Sequence, residues 1–353
     1  MLKLSMNELD ALFQELASDR TLYLPLSSGG QANFGPWRPE ARVCLDRLKT
    51  VQSAKDFFFP QTEDLVSFKR QGKNISIVDQ NRPVGQFAVF GMRGCDVRSL
   101  DVLDRVFLSE PIDAFYRERR ENGVVISTAC EEPDETCFCS VFGIDASEPQ
   151  GDVVTRILGD VLYWEPKTPR GETLTEKVKS LFTEADAQDQ ALVAGQKADI
   201  KARVAGLPLA SLCLDAFREG TLLEKFHSPV WARFSQACAG CGTCTFVCPT
   251  CQCYDIQDFD TGHDIRRFRC WDSCMYSDFT LMAHGNPRST QMERFRQRFM
   301  HKLVYFPANN DGEYSCVGCG RCVEKCPFSL NIVRVIKAFG GGDKCAHVQD
   351  ATA

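Results

Sequence analysis

Two cysteine runs, Cys238-x2-Cys241-x2-Cys244-x3-Cys248-Pro249 and Cys316-x2-Cys319-x2-Cys322-x3-Cys326-Pro327, constrain this chain more than any other feature. Two residues between cysteines let consecutive thiolates converge on one centre, whereas three residues followed by proline turn the chain away. That spacing wraps a loop around a [4Fe–4S] cube and sends the fourth cysteine to a neighbouring cube. One run alone could be chance or a zinc site. Two runs, each closed by proline, point to two cubes and to a chain built to carry electrons. Crossed ligation assigns Cys238, Cys241, Cys244 and Cys326 to the first cube, and Cys316, Cys319, Cys322 and Cys248 to the second.

A chain of 353 residues exceeds one simple domain and predicts two units. With 44% hydrophobic and 25% charged residues it reads as globular, and its net charge of −6 gives no general attraction to nucleic acid. The start, Met1–Asp10, is acidic and amphipathic, unlike a signal peptide. No stretch approaches the roughly 20 apolar residues of a membrane span. Nineteen cysteines without an export signal argue against a disulfide framework and for thiolates available to metal in a reducing, cytoplasmic setting. Oxygen-sensitive clusters in this number also suggest an anaerobic or microaerobic cell.

Apolar residues at helical spacing (Met6, Leu9, Leu12, Phe13, Leu16) predict a surface helix over 6–18. Phe57, Phe58 and Phe59, flanked by Lys55, Asp56, Glu63 and Asp64, predict a buried strand. Gln86–Gly91 reads as a strand ending in a glycine turn, and 96–108 as an amphipathic helix capped by Asp96. Gly123–Thr128 reads as another buried strand. Strand, turn, helix, strand is the α/β signature, assigned here to residues 1–225. Residues 173–206, rich in Ala, Glu, Lys and Asp, predict exposed helices. From about 210 strand signals become scarce, and Gln291–Leu303 is strongly helical. The expected class is α+β: an N-terminal α/β domain (1–225), then a largely helical di-cluster [4Fe–4S] ferredoxin domain (226–339) with a large insertion at 249–315, then a flexible tail (340–353).

Eleven cysteines lie outside the two runs. Cys95 sits in the turn after one predicted strand, and Cys130, Cys137 and Cys139 follow the next. Strand C-terminal ends in an α/β sheet open onto one edge, where ligands bind, so these four thiolates would converge. A third [4Fe–4S] cluster is the sharp reading; zinc on the same thiolates and free thiols are the alternatives. Cys44 and Cys213 read as small core residues. Cys251, Cys253, Cys270 and Cys274 follow the first run and could hold another metal or pack beside the first cluster; none is assigned as a ligand. Cys345 and His347 fall in the tail.

Other signals are weak. The spacing Cys244-x3-Cys248-x2-Cys251 matches that of radical S-adenosylmethionine enzymes, but two of its cysteines belong to the ferredoxin run and no barrel-like series follows. No dinucleotide fingerprint, Walker loop or nucleophile elbow is present. His227, His263, His284 and His301 are scattered and read as structural. Arg266, Arg267 and Arg269 could face an acidic redox partner or form a surface salt-bridge face.

Several stretches together carry a resemblance: Gly94-Cys95-Asp96, Cys130 to Cys139, Cys241 to Cys253, Trp271 to Cys274, and Cys316 to Cys322. In this order they resemble the A subunit of anaerobic sulfite reductase and the beta subunit of nickel–iron sulfhydrogenases, over roughly Phe57 to Ile332. Cys251, Cys253 and Cys274 fit that pattern, whereas Cys270 falls outside it. The resemblance implies an iron–sulfur subunit in a hetero-oligomer. It would relay electrons between a flavin- and NAD(P)H-binding reductase-like subunit, which would carry FAD, and a catalytic subunit of sulfite reductase, hydrogenase or heterodisulfide-reductase type. The competing expectation is an enzyme that reduces a sulfur substrate directly at one of its own clusters. No acid, base or nucleophile constellation accompanies the cysteines, so no catalytic residue is assigned.

Overall fold

The computed structural model describes residues 1–341 apart from 48, 79–82 and 219. Its strands are β1 (Leu2–Ser5), β2 (Thr21–Ser28), β3 (Gln31–Pro36), β4 (Thr62–Gln71), β5 (Asn74–Val78), β6 (Phe87–Met92), β7 (Gly123–Thr128), β8 (Val153–Leu158), β9 (Val161–Pro166), β10 (Thr183–Glu184), β11 (Tyr254–Asp260) and β12 (Asp264–Trp271). The first ten, except β4 and β5, make an eight-stranded sheet in the order β10-β1-β9-β8-β7-β6-β2-β3. Its centre, β2, β6, β7 and β8, is parallel.

Every residue of β6 and β7 is buried, as expected of parallel strands covered on both faces. Successive side chains feed opposite layers. Ala88 and Phe90 pack with Leu12, Phe13, Trp164 and Leu174 on one face. Phe87 and Val89 pack with Leu100, Leu103, Phe107 and Tyr116 on the other. Each fully buried Leu or Phe contributes roughly 1.5–3 kcal/mol, so the two layers hold this sheet rigid. The parallel pairing brings the ends of β6 and β7 to one edge, and the chain leaves them directly into Cys95 and Cys130.

The structure departs from two local expectations. Lys55–Phe58 is a short helix, not a strand; Phe58 and Phe59 are fully buried as predicted, but by tilted aromatic packing on Phe87 and Phe107. The helix after β6 is Gly94–Phe107, with Arg93 at its N-cap and no side-chain cap. Asp96 lies inside the first turn, where a longer-range partner, Arg321, claims its carboxylate.

The C-terminal part has its own core of Trp231, Phe295, Phe299, Leu303, Ile332 and Ile336, joined by Leu212, Leu214, Phe217 and Phe138 from earlier in the chain. The helix Gln291–Met300 starts at a reciprocal Thr290–Glu293 capping box and continues through a π-type turn, His301–Tyr305. This part is not helical throughout. The insertion contributes β11 and β12, and β12 pairs antiparallel with β4, from Asp264↔Lys69 to Cys270↔Thr62. The resulting second sheet, β11-β12-β4-β5, joins hairpins nearly two hundred residues apart in sequence. Every residue of β11 is exposed, so no period-2 apolar pattern announces it. Arg267–Asp258 and Arg266–Asp64 hold it across strands, and Arg269, 3% exposed, forks onto Glu63. The arginine string is therefore a salt-bridge face. No helix among the described residues is long and apolar enough to cross a membrane.

Candidate metal centres

The two cysteine runs fold alike. In the first, Gly242 (φ 73°) precedes the short helix Thr243–Phe246; in the second, Gly320 (φ 76°) precedes Arg321–Glu324. Each glycine takes a left-handed turn that other residues adopt only at a cost, and so brings three thiols round one void.

Three cavities gather the cysteines. The first is lined by Cys238, Cys241, Cys244 and Cys326, beneath Met275, Phe295, Phe299 and Leu330. The second is lined by Cys316, Cys319, Cys322 and Cys248, with Phe138, Arg298, Lys302 and Ile332. The third is lined by Cys95, Cys130, Cys137 and Cys139, with Lys49, Arg93 and Pro133. Each run thus supplies its proline-flanked cysteine to the cavity formed mainly by the other run. Neighbouring cavities share walls: Arg298 lines the first and second, and Cys319 lines the second and third.

The third cavity meets the second through backbone. The Phe138 N–H donates to Gly318 O at 2.9 Å. A side chain at Gly318 (φ +59°) would place Cβ 2.4 Å from Phe138 O, and one at Gly320 2.5 Å from Thr136 O. Only glycine permits that approach. Arg321, from the second run, pairs with Asp96 beside Cys95 and also donates through Nε to Thr50 O at 2.9 Å.

The donor chemistry fits iron–sulfur cubes. Among the described residues no three His, Cys, Asp or Glu side chains converge closely enough to hold a single ion. Zinc would draw its sulfurs to about 2.3 Å from one point, whereas these thiols stand apart around voids. Burial pushes the Cys130, Cys139 and Cys316 thiols up to about 12. Without metal they would be protonated; iron bound there would hold them as thiolates. Arg298 Nε, on the wall of the first and second cavities, is buried with no hydrogen-bond partner among the described residues, as expected where an acceptor belongs in the cavity.

Cys251, Cys253 and Cys274 line none of these three cavities. The Cys251 thiol contacts that of Cys248, and Cys253 contacts Cys274. Cys270 sits within β12. Cys44 and Cys213 are buried, as the sequence predicts, but Cys213 is disulfide-bonded and not a free core thiol; Cys345 and His347 lie outside the described residues.

Three buried cations escaped the sequence reading. Arg298 is 2% exposed, Lys302 4% and Lys55 2%, and none has a carboxylate within salt-bridge distance among the described residues. Arg298 Nη1 reaches Cys251 Sγ at 3.7 Å. Lys302 Nζ donates to Thr250 Oγ1 (2.8 Å) and Ser315 O (2.9 Å). Lys55 Nζ donates to Cys251 O (2.8 Å) and lies 3.5 Å from the centre of the Trp271 ring. Burial pushes Lys55 down to about 8, against the opposing pull of Cys251 and Cys248. For Lys302 burial lowers the pKa, but negative charge on Cys248 and Cys251 outweighs it and raises the group overall. The available sequence signal was Arg294, Arg298 and Lys302 at four-residue spacing, placing cations on one face of a helix.

Residues 237–330 match the family described as a 4Fe-4S dicluster domain. Over 326 residues the chain is 30% identical to Sulfhydrogenase 2 subunit beta of Pyrococcus furiosus, covering 92% of this chain and 93% of that protein.

Proposed function

Given that this chain belongs to the sulfhydrogenase beta-subunit family, we propose that it is the electron-relay subunit of a cytoplasmic, hetero-oligomeric anaerobic oxidoreductase. It would connect a flavin- and NAD(P)H-binding reductase-like subunit, carrying FAD, to a catalytic subunit of sulfite reductase, hydrogenase or heterodisulfide-reductase type. The observation that carries this reading is the series of three thiol-lined cavities, the first and second sharing Arg298 as a wall and the second and third sharing Cys319.

In this reading residues 226–339 carry the first two centres and 1–225 the third. Cys238, Cys241, Cys244 and Cys326 hold one cube, Cys248, Cys316, Cys319 and Cys322 a second, and Cys95, Cys130, Cys137 and Cys139 a third. Bound there, such cubes supply one-electron storage and transfer. The apolar roof of Met275, Phe295, Phe299 and Leu330 shields the first site from water. Cys241 is exposed and gives that end of the series an edge on the surface. At the other end Lys49 is bound by Asp134 and Glu324, 3.2 Å from each, tying the loop that carries Cys130 and Cys137 to the second cysteine run.

Direct reduction of a sulfur substrate is the weaker reading. It requires an iron with an open position, and each cavity offers at least four thiols. Anaerobic purification of the full chain decides between them. The relay reading expects iron and acid-labile sulfide equivalent to three cubes, paramagnetic signals after dithionite, and no turnover of sulfite or polysulfide with a reduced viologen dye. Turnover by the chain alone would sink it in favour of the enzyme reading.

A further inference from the structure

We propose that Arg298 and Lys302 set the redox potentials of the paired centres, with Arg298 acting on both and Lys302 on the second alone. The inference rests on the relay reading and asks what this chain's own charges do to the centres. An unpaired buried charge is strongly unfavourable, and placing two cations one helical turn apart adds mutual repulsion. Arg298 and Lys302 occupy such positions on the Gln291–Met300 helix and its continuation, each almost wholly buried. Neither has a carboxylate partner among the described residues. Lys55 adds a third buried cation through its bond to Cys251 O. This accumulation is stable only where compensating negative charge resides, and the groups facing these cations are thiols.

The distribution is specific. Arg298 lines both the first and second cavities, and its Nε has no hydrogen-bond partner among the described residues. Lys302 lines only the second, held there by Thr250 Oγ1 and Ser315 O. Neither lines the third. Each one-electron reduction adds negative charge to a centre, so a nearby fixed cation stabilises the reduced form and raises the potential. Where cations near the third cavity are most deeply buried or loop-bound they are matched by acids: Arg321 by Asp96, and Lys49 by Asp134 and Glu324.

The test is an anaerobic redox titration of the full-length chain followed by paramagnetic resonance, comparing wild type with Lys302→Gln, Arg298→Gln, Lys302→Arg and Arg298→Lys. Glutamine keeps hydrogen-bonding capacity without the charge. Lys302→Gln is expected to shift the second centre alone to lower potential, and Arg298→Gln to shift the first and second together. The third centre should stay in place as an internal reference, and the charge-conserving variants should stay near wild type. Intact centres with unmoved midpoints overturn the proposal, as do equal shifts from Lys302→Gln and Lys302→Arg. Should a glutamine variant fail to assemble, the charge-conserving pair still decides: a midpoint displaced by Lys302→Arg or Arg298→Lys as far from wild type as the first and second centres differ from each other overturns it. Wild-type protein without iron or sulfide would refute the relay reading itself, a separate outcome.

Discussion

Arg321 grips Asp96 through two parallel hydrogen bonds, Nη1 to Oδ1 at 2.5 Å and Nη2 to Oδ2 at 2.8 Å, with both side chains essentially inaccessible to water. One residue belongs to the second cysteine run and the other to the helix that carries Cys95. The pair therefore fixes the second cavity against the third.

Breaking it from one side leaves a charge stranded. Asp96→Ala is expected to destabilise the protein by about 3–5 kcal/mol. The double replacement Asp96→Leu with Arg321→Met should recover most of that loss, because apolar residues carry no ionic desolvation cost. Chemical denaturation of both variants beside wild type checks this; an Asp96→Ala protein as stable as wild type would contradict the role.

Crossed ligation predicts which signal each cysteine controls. Cys326→Ser should abolish the centre formed mainly by the first run, and Cys248→Ser the one formed mainly by the second, each losing one cube's worth of iron. Signals assigned through Cys241→Ser and Cys319→Ser provide the reference. Loss of the second-run signal in Cys326→Ser would mean that each run ligates its own cube.

Cys137→Ser should remove one further cube's worth of iron and sulfide while the other two signals persist. Elemental analysis distinguishes the alternatives. Loss of zinc instead would make the third cavity a structural zinc site, and no change in metal would make it a set of free thiols.

Gly318→Ala should disturb two centres at once. The left-handed conformation alone costs an alanine about 1–2 kcal/mol, and its Cβ would sit 2.4 Å from Phe138 O. A lowered thermal midpoint with reduced iron at the second and third centres is expected. Damage confined to the second centre would show that this loop approach is unimportant to the third.

Stability should weaken in acid partly through His301, whose pKa burial, with the charges of Lys302 and Arg288, pushes down to about 4 from 6.5. Because the folded value is depressed, the unfolded chain binds more protons between these limits. Stability thus falls as pH drops from 6.5 towards 4 and changes little above 6.5 from this source. The span corresponds to about 3 kcal/mol. His301→Gln should flatten that part of the profile, as measured by denaturant titration at successive pH values; an unchanged slope would exclude this origin.

The cysteine pattern was legible because covalent spacing is local: eight thiols in two runs fix loop geometry within a few residues of each. The third cavity was legible for a different reason. Two buried apolar strands, Phe87–Met92 and Gly123–Thr128, announce a parallel pair, and parallel strands end on the same side. Hairpin 254–271 was not legible, because its order comes from long-range ion pairs such as Arg269–Glu63 and not from its own apolar period. Asp96 was misread for a similar reason. A carboxylate near a helix start suits a cap, and only the folded chain reveals Arg321. The buried cations were hidden too, since lysine and arginine on a helix ordinarily mean solvent; what reverses that expectation is the thiol-lined voids they face.

The sheet shared by hairpins 62–78 and 254–271 bears on how the molecule is made. While the chain is still emerging from the ribosome, the earlier hairpin waits with an unpaired edge until nearly two hundred further residues have been synthesised. The segment that holds both cysteine runs consequently cannot be excised as a freestanding module without exposing both hairpins.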